Sequence, residues 1–222
     1  MKEMVNVFWF RRDLRIEDNA GLYHALQNGK PVIPLFIFDS NILEKLDNKA
    51  DRRVAFIHDA ITHLQESLTK AGSSMFCFHG KPAVIWEQIT KKFEVENVFT
   101  NHDYEPYALE RDADVKELLE KKNIAFHTYK DQVIFEKQEV VKDDGKPYTV
   151  FTPYSRKWKS LLSDDNLKAY PIKKYATHFY QCKAQKIPSL KEMGFIENDQ
   201  PFPSQKADQA IIQHYAENRD FP

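Results

Sequence analysis

Three stretches of the chain gather the side chains that could hold a small molecule. The first is Arg11-Arg12-Asp13-Leu14-Arg15, the second runs from Asp39 to Arg53, and the third is His102-Asp103-Tyr104-Glu105-Pro106-Tyr107. Together they offer guanidinium groups, carboxylates and aromatic rings, the ingredients of a pocket for a flat heteroaromatic ligand. A plainer reading stands beside this one. Arg11, Arg12 and Arg15, close to Asp13, Glu17 and Asp18, also fit a surface ion-pair network of little energetic value. Asp103 and Glu105 directly precede Pro106. They suit a helix start, where the dipole favours negative charge, without forming a catalytic pair.

Several chemistries are missing. With six glycines in the whole chain there is no Gly-rich dinucleotide fingerprint and no phosphate-cradling loop. No Gly-x-Ser-x-Gly nucleophile elbow occurs. The eight histidines have no metal-ligand spacing, and His58 and His63, five apart, do not share a helix face. Cys77 and Cys182 lie far apart in unlike contexts, so neither a disulfide framework nor a zinc site is expected.

The elements that would carry the three loops follow from hydrophobic period. Val5–Phe10, Val32–Phe38, Ser74–His79, Asn97–Asn101 and Ile124–Tyr129 are apolar runs suited to buried strands. Between them lie helical patterns. Asn19–Asn28 is stopped by Gly29. A long helix capped by Asp51 sets Val54, Ile57, Ile61, Leu64 and Leu68 on one face and ends at Gly72. Ala83–Phe93 and Pro106–Lys122 complete the series, the latter with Leu109, Ala113, Leu118 and Leu119 on or near its buried side. Strands alternating with helices imply an α/β fold: a doubly wound, Rossmann-like, five-stranded parallel sheet over residues 1–130. The three loops then fall at the carboxyl ends of the strands, where such sheets bind ligands.

Beyond Lys130 the pattern changes. Val133–Val141 and Tyr148–Phe151 flank an Asp-Gly turn signal, which predicts a hairpin. Pro171, Pro188, Pro201 and Pro203 mark a carboxyl-terminal linker, so 131–204 reads as hairpin and linker, with a last helix over Gln205–Asn218.

Composition is that of an ordinary globular protein, 42% hydrophobic and 29% charged. The longest apolar run, Pro31–Phe38, is far short of the ~20 residues a membrane span needs. No secretory signal is visible, so a cytoplasmic location and no membrane partner are expected. Net charge is −1, with 19 basic against 23 acidic residues over 1–141, 10 against 4 over 142–186, and 3 against 6 over 187–222. The basic middle reads as a solvated linker, and the chain alone is expected to bind DNA poorly.

The segment Val7-Phe8-Trp9-Phe10-Arg11-Arg12-Asp13-Leu14-Arg15-Ile16-Glu17-Asp18-Asn19-Ala20-Gly21-Leu22 closely resembles the start of photolyases and cryptochromes. Pro34–Asp39, Arg53–Phe56, Asp103–Tyr107 with Glu110-Arg111-Asp112, and Phe151–Tyr154 with Trp158 resemble later family segments in the same order. The resemblance covers essentially the whole chain. It implies the amino-terminal antenna domain of a deoxyribodipyrimidine photolyase, a carbon–carbon lyase that repairs pyrimidine dimers in DNA with a light-excited flavin. Residues 205–222 would then begin the helical domain that holds FAD and contacts damaged DNA, the remainder lying outside this chain. On that implication the chain alone is inactive and monomeric. Trp9, Trp86 and Trp158 match no electron-relay position and read as packing residues.

The resemblance also implies an antenna chromophore against Arg11, Phe36, Asp39, Ile42, Leu43, Arg53, Asp103 and Glu105. Folate-binding members carry an Asn-Glu pair where this chain has Tyr107-Ala108. A deazaflavin or flavin is therefore favoured over folate, with an empty pocket as the remaining case. A cryptochrome light receptor is the near alternative. A free-standing nucleotide- or flavin-binding module is the alternative from another class.

Overall fold

The structure is a computed structural model that describes residues 3–197, 202 and 207–220. The chain alternates strand and helix: β1 (Met4–Phe10), α1 (Ala20–Gln27), β2 (Val32–Asp39), the single turn α2 (Ser40–Leu43), α3 (Arg52–Lys70), β3 (Phe76–Gly80), α4 (Pro82–Lys92), β4 (Glu94–Asn101), α5 (Pro106–Glu120) and β5 (Ala125–Tyr129). All pairings are parallel, in the order β3-β2-β1-β4-β5. The strand order reverses between β1 and β4, and the crevice at their carboxyl ends is where an open α/β sheet takes ligands.

The period-two geometry of β1 divides the core into two layers. Phe8 and Phe10 face α1 and α3 and pack with Leu22, Leu26, Val54, Ile61 and Leu68. Val5, Val7 and Trp9 face α4 and α5 and pack with Ile85, Trp86, Ile89, Val115 and Leu119. Helix limits follow their caps. The Asn19 side chain accepts the Leu22 N–H at 3.1 Å, and Asp51 accepts the Arg53 N–H at 2.9 Å. Gly72, at φ +78°, closes α3 as its position after the helix requires. Leu109, expected near the buried side of α5, is instead exposed.

After β5 the structure departs from the sequence-based expectation. The Asp-Gly turn forms, with Lys142 N–H donating to the Lys146 carbonyl at 2.9 Å. Its flanks do not pair, however, and no hairpin exists. Phe151, Tyr154, Trp158 and Leu161 recur at helical spacing, and Pro153 in the first turn is compatible with a helix. Phe151–Leu161 is accordingly helix α6. The chain then drapes over the sheet: Tyr180 N–H donates to Val32 O at 2.8 Å, and Ile196 N–H to Lys49 O at 2.8 Å. Ile172, Phe179, Leu190, Met193 and Phe195 close the α1/α3 layer. The expected helix over 205–218 is two short pieces, α7 (Gln209–Gln213) and α8 (Tyr215–Asn218), and its first two residues lie outside the described residues. Among the described residues no helix is long and apolar enough to cross a membrane.

Gly21 lets α1 approach the sheet. A Cβ there would stand 2.7 Å from Asn101 Oδ1 and 2.9 Å from the Phe8 ring. Gly21→Ala should therefore destabilise the fold by about 1–3 kcal/mol, outweighing the helix-propensity gain of up to ~1 kcal/mol. A urea midpoint equal to or above that of the parent would contradict this close approach.

Candidate ligand cleft at the carboxyl ends of the strands

Asn101, the last residue of β4, ties the first loop to the rest. Its side-chain NH2 donates to Asp13 Oδ2 at 2.6 Å and Asn19 Oδ1 at 2.9 Å, and its Oδ1 accepts the Gly21 N–H at 2.8 Å. Its backbone carbonyl accepts from the Arg11 guanidinium. Arg11 is almost fully buried and also pairs with Asp112 of α5. The arginine loop is thus not a solvated ion-pair network at its first residue, though Arg12 remains largely exposed.

The loops after β1, β2 and β4 surround one cleft of about 390 Å³, within the ~300–1,000 Å³ usual for small-molecule sites. Trp9, Phe36, Phe38, Ile42, Leu43 and Ile57 supply its apolar lining, and Arg11, Arg12, Arg111, Asp39, Asp103 and Glu105 its charged groups. Three cations face three carboxylates, and each cation already has a partner. Arg111 reaches Asp112 at 2.9 Å and Asp103 at 3.9 Å, while Arg12 reaches Asp103 at 3.4 Å and Glu105 at 3.3 Å. Such a site favours an uncharged, polarisable surface over a free phosphate. The guanidinium carbons of Arg11 and Arg111 stand 5.2 and 5.0 Å from the Trp9 ring centroid, within cation–π range.

Asp39 shapes the opposite rim. It caps α2 by accepting the Asn41 N–H at 3.0 Å and accepts the Tyr107 hydroxyl at 2.6 Å. Burial, followed by this bond to a carboxylate, pushes the Tyr107 phenol up to about 12.

Of the eight residues expected in the site, Arg11, Phe36, Asp39, Ile42, Leu43, Asp103 and Glu105 line the cleft. Arg53 does not. It is mostly exposed and folds back on the helix cap Asp51 at 2.6 Å, and that pairing holds the Asp51 carboxyl down at about 2. Trp9 and Arg111, outside the three loops, also line the cleft, and so does Tyr107, which belongs to the third loop but not to the eight. Tyr107 lay within the third loop, and Arg111 follows it by one helical turn, so the i, i+4 spacing was the usable signal. Trp9, whose sequence context suggests packing only, is buried against Trp86 and still lines the cleft. His102 and Tyr104 turn away from the cleft toward Glu136. Among the described residues no group of His, Cys, Asp or Glu is arranged to hold a metal.

Residues 6–173 match the family model described as DNA photolyase. An uncharacterised 31.6 kDa protein of Synechococcus sp. PCC 6716 is 32% identical over all of this chain and 81% of its own length. The deoxyribodipyrimidine photo-lyase of Halobacterium salinarum is 29% identical over 98% of this chain but only 49% of its own. The chain therefore spans most of the first relative and about half of the second. Among solved structures, a class III photolyase from Agrobacterium tumefaciens superposes over 90% of this chain and 40% of its own, with a TM-score of 0.73 at 24% identity. An archaeal photolyase from Sulfolobus tokodaii with two FAD molecules, described as implying a novel light-harvesting cofactor, does so over 79% of this chain and 41% of its own, with a TM-score of 0.62 at 25% identity.

Tyr107 gives a pH test. Its neutral form is favoured in the fold, so the stabilisation is complete below the unfolded-state pKa of about 10. It is lost as pH rises through the folded value of about 12. Tyr107→Phe should cost about 1.5 kcal/mol near neutrality, and its stability gap to the parent should narrow above pH ~10. A gap that stays constant through that window would remove the Tyr107–Asp39 bond from the account.

Proposed function

The chain belongs to the DNA photolyase family, and on that premise we propose that it is the antenna-type α/β domain of a light-driven DNA repair protein. The cleft between the β1, β2 and β4 loops is the observation that carries this reading: seven residues expected there converge on it. Its size, apolar lining and internally neutralised charges fit a flat fused-ring chromophore, which when bound supplies light absorption. Trp9, Phe36 and Leu43 would pack the ring and keep water from it, and Asp39, Asp103 and the Arg11 and Arg111 guanidiniums would orient its polar edge. No proton-transfer machinery is required, since passing on excitation depends on position. Tyr107 spends its hydroxyl on Asp39, and Ala108 presents only a methyl group to the cleft. Both favour a deazaflavin or flavin over folate.

Repair itself would need the FAD and DNA contacts of a helical domain, which this domain does not provide. The apolar side of α6, with Phe151 77% and Tyr154 37% exposed, is the face such a helical domain would cover. We assign the boundaries accordingly: 1–130 the antenna domain, 131–204 the linker, and 205–222 the start of the helical domain. A cytoplasmic setting, with both cysteines reduced, completes the proposal. A second reading, a free-standing nucleotide- or flavin-binding module, is favoured by one observation: this chain matches 81% of the length of the 31.6 kDa relative.

The ligand class is tested by titrating the purified chain with FMN, a deazaflavin and methenyltetrahydrofolate. The flavin-type rings should bind. Ile42→Trp, made at a rim position 44% exposed, should fill the cleft without unfolding the protein and weaken them about tenfold or more, a loss of ~1.4 kcal/mol. Arg53→Ala should bind as the parent does. Binding of the folate alone would overturn the ligand class, and equal weakening by Arg53→Ala would overturn the placement.

A further inference from the structure

We infer that Glu136, in the irregular segment after β5, is a positioning residue for the ligand cleft that links the order of residues 130–139 to the loop His102–Tyr107. From His102 to Glu105 the side chains of the loop fall alternately on two sides. Asp103 and Glu105 line the cleft, as does Tyr107 in the first turn of α5, while His102 and Tyr104 point to the other side, where Glu136 meets both. The Glu136 carboxylate is mostly buried, accepts from His102 Nδ1 at 2.7 Å and accepts the Tyr104 hydroxyl. His102 is held at its other end too, with Nε2 3.0 Å from Thr128 Oγ1 and its backbone N–H donating to Tyr129 O at 2.7 Å.

Glu136 is itself braced. Its backbone N–H donates to Glu139 Oε2 at 2.6 Å, and Lys130 Nζ meets the same carboxylate at 2.8 Å. The chain 130–139 is thereby folded back on itself with one carboxylate presented to the loop. Burial alone would raise the Glu136 carboxyl, but the hydrogen bonds from Tyr104 and His102 outweigh it and hold the group below its usual range. The loop is a shared wall, with a ligand site on one side and the segment leading away from the sheet on the other. A group that steadies one side steadies the other by the same free energy.

The coupling to ligand rests on the cleft reading above; the Glu136–loop link does not, and the two are separated experimentally. Amide hydrogen exchange is measured on the purified chain, with and without FMN, for the parent, Glu136→Ala, Glu136→Gln and Tyr104→Phe. Without ligand, Glu136→Ala should speed exchange in peptides covering 100–109 and 130–139 by about tenfold or more, the effect of losing hydrogen bonds to a charged group, and leave β1 and β2 unchanged. Glu136→Gln, which can still accept from Tyr104, and Tyr104→Phe, which keeps the His102 contact, should each show a smaller acceleration. With FMN, residues 130–139 of the parent should slow, and those of Glu136→Ala should not. Parent-like exchange at 100–109 in all three ligand-free variants overturns the role of Glu136. Failure of both FMN and the deazaflavin to bind the parent overturns the cleft reading, while the ligand-free comparison still decides the link. Binding that slows 130–139 equally in Glu136→Ala shows that the coupling does not pass through this carboxylate.

Discussion

The side-chain amide of Asn101 is where three elements meet. Standing at the carboxyl end of β4, it satisfies Asp13 of the arginine loop, the α1 cap Asn19 and the N–H of Gly21, while the backbone carbonyl of the same residue accepts from Arg11. A buried amide with so many partners is costly to leave unpaired, and each partner fixes a different piece of chain. The spacing of α1 from the sheet, the burial of Arg11 and the path of the first loop all follow from it. Gly21 exists as glycine because the amide is so close.

From that anchor the electrostatics of the cleft become intelligible. Arg11 cannot swing out to solvent, so it meets Asp112, which also engages Arg111, and both guanidiniums come over Trp9. Charges drawn inward in this way must be compensated locally. The result is a cleft with many ionic groups and little unspent charge. On the proposed reading this suits a ring that must be held in a fixed orientation, and it suits poorly a ligand recognised through phosphate.

The segment beyond β5 shows the same economy of polar contacts. Asp131, nearly buried, accepts the Ala20 N–H at the start of α1 at 2.8 Å and pairs with Arg15. A few residues on, Glu136 holds His102 and Tyr104. The chain leaving the sheet is therefore fastened to the back of the site loops before it runs over the α1/α3 layer, where Phe179 and Phe195 supply apolar closure.

Local sequence determined much of this. Continuous apolar strands, the caps Asn19 and Asp51 and the glycine stops set the α/β order, because each depends on neighbours within one turn or one strand. The same logic placed three loops at one end of the sheet and brought seven of eight expected residues to one cleft. Arg53 escaped it because a nearby cap competed for its charge at closer range. The hairpin failed because a good turn does not create a partner strand, while aromatic residues at helical spacing made α6 instead. The inward turn of Arg11, the double use of Trp9 and the reach of Glu136 to His102 join residues far apart in the chain. No pattern within one segment encodes such pairings. They were decided only when the sheet closed and burial obliged each polar group to find a partner.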